Sequence, residues 1–301
     1  MITNGAIRTG KKFSKPAMSR IINGDVKLKE KESKPEKIRL DHLLVEQYPE
    51  YNRSTLQNFI KQGFVTVDQK IAKKPNETYL KTAKITLNAP KNDFKLPKIP
   101  VIYEDDNVKV LNKPTGLLSM AKGEYCPEPT LEDYGLLVHR LDRDTSGVVI
   151  LAKNPETQKM LRKQFQDRKT HKTYYAVVEG HPKQQAALID LPIERNFKRP
   201  NTFLVTPNGK SSQTYYQTIK QNDKYSLLEL KPTTGRTHQL RVHLKYIGTP
   251  ILGDQVYNDN NSKISRLFLH AKELEITIPG GIRKTFTAPL PQEFKDVFRQ
   301  S

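Results

Sequence analysis

Val138-His139-Arg140-Leu141-Asp142-Arg143-Asp144-Thr145-Ser146-Gly147-Val148-Val149-Ile150-Leu151 joins a charged turn to an unbroken apolar run. The run reads as a central strand buried on both faces. Two acids, two arginines and a histidine stand just before it. A catalytic carboxylate benefits from a rigid strand behind it and cations beside it. The same residues also suit a polar loop whose ion pairs only hold the turn, and local composition leaves both readings open.

Outward from this stretch, strand follows strand with few helices between. Val108, Val110 and Leu111 predict a short strand after a polar turn at 104–107. Pro155 predicts a helix start, with Leu161, Phe165 and Arg168 continuing at helical spacing. Residues 174–178 read as a strand, and 215–219 with 225–230 as a hairpin around Gln221-Asn222-Asp223-Lys224. Leu240, Leu244 and Ile247 mark a helical face closed by Gly248, and 267–271 and 274–278 read as two more strands. The expected class is α+β, on a mixed, largely antiparallel sheet.

A second segment carries chemistry: Lys231-Pro232-Thr233-Thr234-Gly235-Arg236-Thr237-His238-Gln239-Leu240-Arg241-Val242-His243. Thr234-Gly235 is expected to lead straight into a helix whose first turn presents Arg236. A guanidinium beside free backbone N–H groups suits an anion, either a buried carboxylate or a phosphate. His238 and His243 are five residues apart and share no helical face, so no metal pair is expected.

Toward the N-terminus the composition changes. Residues 1–36 are polar and Lys-rich, and are read as a disordered basic tail. Residues 37–90 form a small module of their own. Leu40, Leu43, Leu44 and Tyr48 recur at helical spacing. A second helix follows, with Ser54 as its cap and Leu56, Phe59 and Ile60 facing inward. Gly63 ends it, Val65 and Val67 alternate as a strand, and a turn falls near Asp68-Gln69-Lys70. Arg53, Lys61, Lys70, Lys73 and Lys74 line its polar side as candidate RNA contacts. Residues 91–100, with two prolines and no periodicity, read as a linker, leaving 101–301 as the large domain.

The 301 residues hold 51 Lys and Arg against 32 Asp and Glu, a formal charge of +19. That excess points to a polyanionic partner, with nucleic acid foremost. No apolar run has the length of a membrane span, so no membrane role is expected. A lone cysteine, Cys126, excludes a disulfide framework and fits a reducing cytoplasm.

His139-Arg140-Leu141-Asp142-x-x-Thr145-Ser146-Gly147 resembles the catalytic motif of RluA-type pseudouridine synthases. Asn112-Lys113-Pro114-x-Gly116 and Lys172-x-Tyr174-x-Ala176-x-Val178-x-Gly180 resemble the segments on either side. Thr234-Gly235-Arg236-x-His238-Gln239-Leu240-Arg241-x-His243 and Gly248-x-Pro250-Ile251-x-Gly253-Asp254-x-x-Tyr257 complete the order. The N-terminal module resembles the α-L RNA-binding domain first seen in ribosomal protein S-four. It does so through Arg39-Leu40-Asp41 and Arg53-Ser54-x-Leu56-Gln57-x-x-Ile60-Lys61-x-Gly63-x-Val65-x-Val67, with Asp68-Gln69 where that family has Asn-Gly.

The resemblance implies a pseudouridine synthase fold and isomerisation of uridine in structured RNA, with large-subunit ribosomal RNA the first expectation and tRNA the alternative. An RNA-binding assembly factor without turnover is the rival from another class. By motif position Asp142 is the catalytic carboxylate and Arg236 its paired cation. Tyr174 lies against the uracil, with a phenol available for proton transfer. Arg140 enters the space left by the flipped nucleotide, and His139, Leu240 and Arg241 complete the substrate-binding set. Isomerisation oxidises nothing and releases no group, so neither cofactor nor metal is expected. The chain is expected to act as a cytoplasmic monomer on RNA.

Overall fold

A computed structural model describes residues 36–89, 95–121, 126, 128–258, 264 and 266–299. The tail expected over 1–36 lies outside the described residues except for Glu36, as do residue 90 at the end of the small module and residues 91–94 at the start of the linker.

In the N-terminal module, β1 (Lys37–Arg39) runs directly into α1 (Leu40–Gln47), followed by α2 (Arg53–Gln62). The apolar stripes of both helices close on Val65, Val67 and Ala72, and Leu40, Leu44, Leu56 and Ile60 are fully buried. Each such side chain contributes roughly 1.5–3 kcal/mol by leaving water. Asn52 caps α2 by accepting the Thr55 N–H at 2.9 Å; the cap expected at Ser54 falls inside the helix. Next come β2 (Val65–Val67), β3 (Lys70–Ile71), β4 (Thr78–Leu80) and β5 (Ile85–Leu87). β2 pairs with β3 and β5, and β1 with β4, all antiparallel. Asp68 and Gln69 turn the β2–β3 hairpin at φ of 47° and 67°. The Lys84 N–H, donated to Asp68 Oδ1 at 3.0 Å, braces a turn that glycine would make with less strain.

The large domain is α+β and is built on a ten-stranded sheet. Its strands begin with β6 (Val101–Glu104), β7 (Val108–Lys113), β8 (Leu136–Leu137) and β9 (Ser146–Ala152). After α3 (Pro155–Gln166) come β10 (His171–Glu179) and β11 (Ala186–Asp190), then a separate two-stranded ribbon, β12 (Ile193–Arg195) and β13 (Phe203–Val205). β14 (Gln213–Gln221) and β15 (Tyr225–Pro232) form the expected hairpin. The chain ends with α4 (Gln239–Tyr246), β16 (Leu269–Ile278), β17 (Ile282–Thr287) and α5 (Gln292–Asp296). The sheet order is β11-β14-β15-β10-β16-β9-β7-β6, with β17 on β16 and β8 on β9.

All seven residues of β9 are buried, as its continuous apolar run predicts. Its pairing with β16 is parallel, whereas its pairing with β7 is antiparallel. Gly147 makes the parallel contact possible, since a Cβ there would lie 2.1 Å from the Ala271 carbonyl oxygen.

Three expectations shift. The two strands read over 267–271 and 274–278 are one strand, β16, whose register against β10 slips between Thr173 and Tyr174. That bulge absorbs the polar Lys272-Glu273 pair that looks like a break in the sequence. Arg168 lies beyond α3 with φ of 56°, not on the helix. The helix expected from Gly235 begins only at Gln239. Gln239 Oε1 accepts the Arg236 N–H at 3.0 Å and the Thr234 hydroxyl at 2.7 Å, which ties residues 234–238 into a turn.

Candidate active site

Asp142 sits on the loop entering β9, and the preceding motif residues fix that loop through its backbone. The Lys113 ammonium donates to the carbonyls of Pro114, Arg143 and Thr145 at 3.0, 2.7 and 2.8 Å. Burial pulls the Lys113 pKa down to about 7, against the raising effect of Asp144 and Asp142. Ser119 Oγ donates to Leu141 O and accepts its N–H, and Thr115 donates to Asp144 O at 2.9 Å. The Asp144 side chain itself is exposed. Its carbonyl, not its carboxylate, serves the loop.

A cleft opens above Asp142, lined by Tyr174 and Lys172 from β10, Leu269 from β16, and residues 234–241 at the start of α4. Asp142 remains 22% exposed there, enough to meet a ligand. Tyr174 pairs with Leu230 on one side and Ala271 on the other, so two neighbouring strands hold its backbone. Burial, with Asp142's charge adding to it, pushes its phenol pKa well above the usual value. At neutral pH the ring therefore presents O–H, not a phenolate.

The cation beside Asp142 is Arg241, not Arg236. Arg241 Nη1 lies 3.3 Å from Asp142 Oδ2, while Nε and Nη2 each donate to Asp254 at 2.7 Å. Asp254 is itself buried, and it accepts the N–H groups of Val256 and Tyr257 at 2.9 and 3.1 Å. Burial works against the charges, but the pair overcomes it: Arg241 is held above and Asp254 below its ordinary pKa. The Arg236 guanidinium instead donates through Nε to Ser211 O at 3.2 Å. The delayed start of α4 is the reason. Arg236 falls in the preceding turn, and Arg241 falls on the helix.

His238, in the left-handed region at φ of 57°, completes the wall. The Tyr257 hydroxyl accepts the Phe203 N–H at 2.9 Å and meets His238 Nδ1 at 2.8 Å. With the Tyr257 hydroxyl donating to Nδ1, the neutral ring carries its proton on Nε2, which faces Asp142 Oδ2 at 3.9 Å. Burial lowers the His238 pKa despite the opposing charge of Asp142, so the ring is neutral at neutral pH.

Of the other expected residues, Leu240 lines the cleft, and Arg140 is exposed at its rim, donating to Thr237 Oγ1 at 2.9 Å. His139 lines the neighbouring cavity instead of the Asp142 cleft: its Nε2 accepts the Ile150 N–H at 3.1 Å, and its ring stacks on Phe165 at 4.5 Å. Burial, with Lys172 adding to it, brings its pKa down to about 3. Through Nε2 it braces β9. In the N-terminal module Arg53, Lys61, Lys70, Lys73 and Lys74 are all exposed. Arg53 is also anchored, donating to Asp41 Oδ2 at 2.9 Å through Nη2 and 3.1 Å through Nε. Lys113, Asp254 and Tyr257 stand within the sequence motifs, but their roles are not legible there, because their work is done through partners distant in the chain.

Known proteins match the chain over most of its length. A family model described as RNA pseudouridylate synthase matches residues 107–246, and an S4-domain model matches 38–83. An uncharacterised RNA pseudouridine synthase of Aquifex aeolicus is 36% identical over 78% of this chain and 81% of its own. The Haemophilus influenzae ribosomal large subunit pseudouridine synthase D is 33% identical over 88% of this chain and 92% of its own. Among solved structures, human RNA pseudouridylate synthase domain containing 1 aligns with a TM-score of 0.57 and 28% identity. That match covers 64% of this chain and 83% of the human one.

Proposed function

The chain belongs to the RNA pseudouridylate synthase family, and from that premise we propose that it isomerises uridines of large-subunit ribosomal RNA at Asp142. The observation that carries this reading is the single cleft holding the Asp142 carboxylate, its Arg241 partner and the Tyr174 ring. A relative matching nearly the whole chain, N-terminal module included, is named for ribosomal large-subunit modification, which supports that target over tRNA. The lone cysteine fits a reducing cytoplasm, and the charge of +19 fits an RNA partner.

The reaction breaks the bond between uracil N1 and the ribose, joins the ribose to carbon 5 instead, releases the carbon-5 proton and leaves N1 protonated, so the mass is unchanged. A base cannot reach Asp142 from within a stem, so the nucleotide must leave its stack, at a cost of a few kcal/mol. Arg140 at the rim is placed to fill the space it leaves. Tyr174 offers a ring face to the uracil and an O–H to its edge. Asp142 acts at the ribose, and Arg241 fixes its carboxylate in position. Arg241 can do so because Asp254 claims its other nitrogens. The exposed Lys61, Lys70, Lys73 and Lys74, with the anchored Arg53, supply phosphate contacts at the N-terminal module.

The experiment is incubation of the purified chain with unmodified ribosomal RNA and, separately, with a tRNA pool, followed by chromatographic separation of the nucleosides. Pseudouridine in the large-subunit RNA alone is expected. Conversion confined to tRNA would reassign the substrate. Tight binding without conversion of either pool would favour the assembly-factor reading.

A further inference from the structure

Beside the Asp142 cleft lies a second cavity of about 420 Å3, into which Arg140, Arg168, Lys172 and Arg236 all face. No carboxylate lines it, and among the described residues none of these four cations makes an ion pair. Their known hydrogen bonds are neutral. Lys172 donates to Thr234 O at 3.3 Å, Arg140 to Thr237, and Arg236 to Ser211 O, while the Arg168 guanidinium has no partner among the described residues. Burial, with Arg168's charge adding to it, lowers the Lys172 pKa to about 8. An anion in this cavity would relieve that crowding.

The backbone points the same way. Arg168 holds φ of 56° just past α3, where glycine or asparagine would sit with less strain. Strain kept at a non-glycine residue suggests that its side chain has work there. Across the cavity, a Cβ added at Gly235 would meet only Lys172 Nζ, at 3.9 Å, so a strand could pass close to this backbone. Arg140, Lys172, Tyr174 and Arg236 line both cavities, so whatever leaves the first enters the second.

We propose that the second cavity is a nucleotide subsite that takes the phosphodiester next to the target uridine, with Arg168 and Lys172 on its oxygens. The subsite rests on the reading of the Asp142 cleft as the uridine site. It makes the enzyme sensitive to how the chain runs beside the flipped nucleotide, and so helps choose among uridines.

The test uses the full chain, an RNA stem-loop carrying a target uridine, and the same RNA with neutral methylphosphonate linkages placed singly on either side of that uridine. Arg168→Gly suits the local backbone, so it should melt no lower than wild type. It should bind the natural RNA roughly tenfold more weakly, the scale of one charge-assisted hydrogen bond. Its log–log salt slope should fall by about 0.7, one single-strand phosphate contact. One neutral linkage should weaken wild-type binding to the same extent, and on that RNA Arg168→Gly should cost nothing more. Arg168→Gln should behave like the glycine variant. Wild-type affinity and salt slope in both variants would overturn the proposal, as would a loss that persists on every neutral-linkage RNA. If wild type binds but forms no pseudouridine, the uridine reading fails, while the binding comparisons still decide the subsite.

Discussion

Arg241 Nη1 lies 3.3 Å from the Asp142 carboxylate, and both its remaining nitrogens are taken by Asp254 at 2.7 Å. The catalytic loop and helix α4 are therefore joined by one guanidinium that is only 6% exposed. Arg241→Ala leaves a buried Asp254 without its charge partner, a loss of about 3–5 kcal/mol. Turnover should fall with it. Arg241→Lys keeps the charge but not the fork, and should recover part of the stability and little of the activity. Arg236→Ala, by contrast, should melt within about 0.5 kcal/mol of wild type and lose RNA affinity only. Thermal melts of the three variants separate these outcomes, and a large melting loss at Arg236 would refute the assignment.

That contrast also marks the limit of what the residues reveal. The buried strand at β9, the hairpin of β14 and β15, and Asp142 before β9 are legible because each depends on local alternation or a contiguous motif. The choice between Arg236 and Arg241 is not legible, because it depends on where α4 starts. The start is set by Gln239 folding back onto Thr234 and Arg236. Asp254, which holds Arg241, lies thirteen residues further on. His139 shows the same limit: its neighbour in the motif is Arg140, but its partner in space is the Ile150 N–H.

Tyr174→Phe keeps the ring face and removes the hydroxyl. RNA affinity should stay within about twofold, since stacking needs only the ring, while single-turnover rates should drop. An undiminished rate would show that the Tyr174 hydroxyl takes no part in the reaction.

His139 is held neutral, with a pKa near 3, while its unfolded form titrates near 6.5. Between those values the unfolded chain binds the proton and the folded chain does not, so stability is lost as pH falls below about 6.5. His270, brought down to about 4 mainly by burial, and His243 contribute to the same limb. His139→Gln preserves an acceptor for the Ile150 N–H and removes one titrating group. Its melting temperature should fall less steeply than wild type between pH 6.5 and 4. Parallel curves would show that protonation of His139 is not coupled to folding.

Asp41 is fully buried in the N-terminal module and accepts from Arg39, Gln57 and Arg53. Burial raises its pKa, but these hydrogen bonds outweigh it and hold the carboxyl well below its ordinary value. Its contribution is present above about pH 4 and is lost as pH falls further. Asp41→Asn should destabilise the module by roughly 1–3 kcal/mol at neutral pH and flatten its acid unfolding. Because Arg53 loses its anchor, RNA binding by the full chain should weaken too. Unchanged RNA affinity would argue that Arg53 faces no phosphate.

The most direct measurement is pseudouridine formation by Asp142→Asn and Asp144→Asn on large-subunit ribosomal RNA, read by chromatography because the product has the mass of uridine. Asparagine is nearly isosteric with aspartate but carries no charge and serves as neither nucleophile nor base. Asp142→Asn should bind RNA about as well as wild type and form no pseudouridine, while Asp144→Asn, whose side chain is exposed, should retain most activity. Conversion by Asp142→Asn at the wild-type rate would contradict the assignment of the chemistry to this carboxylate.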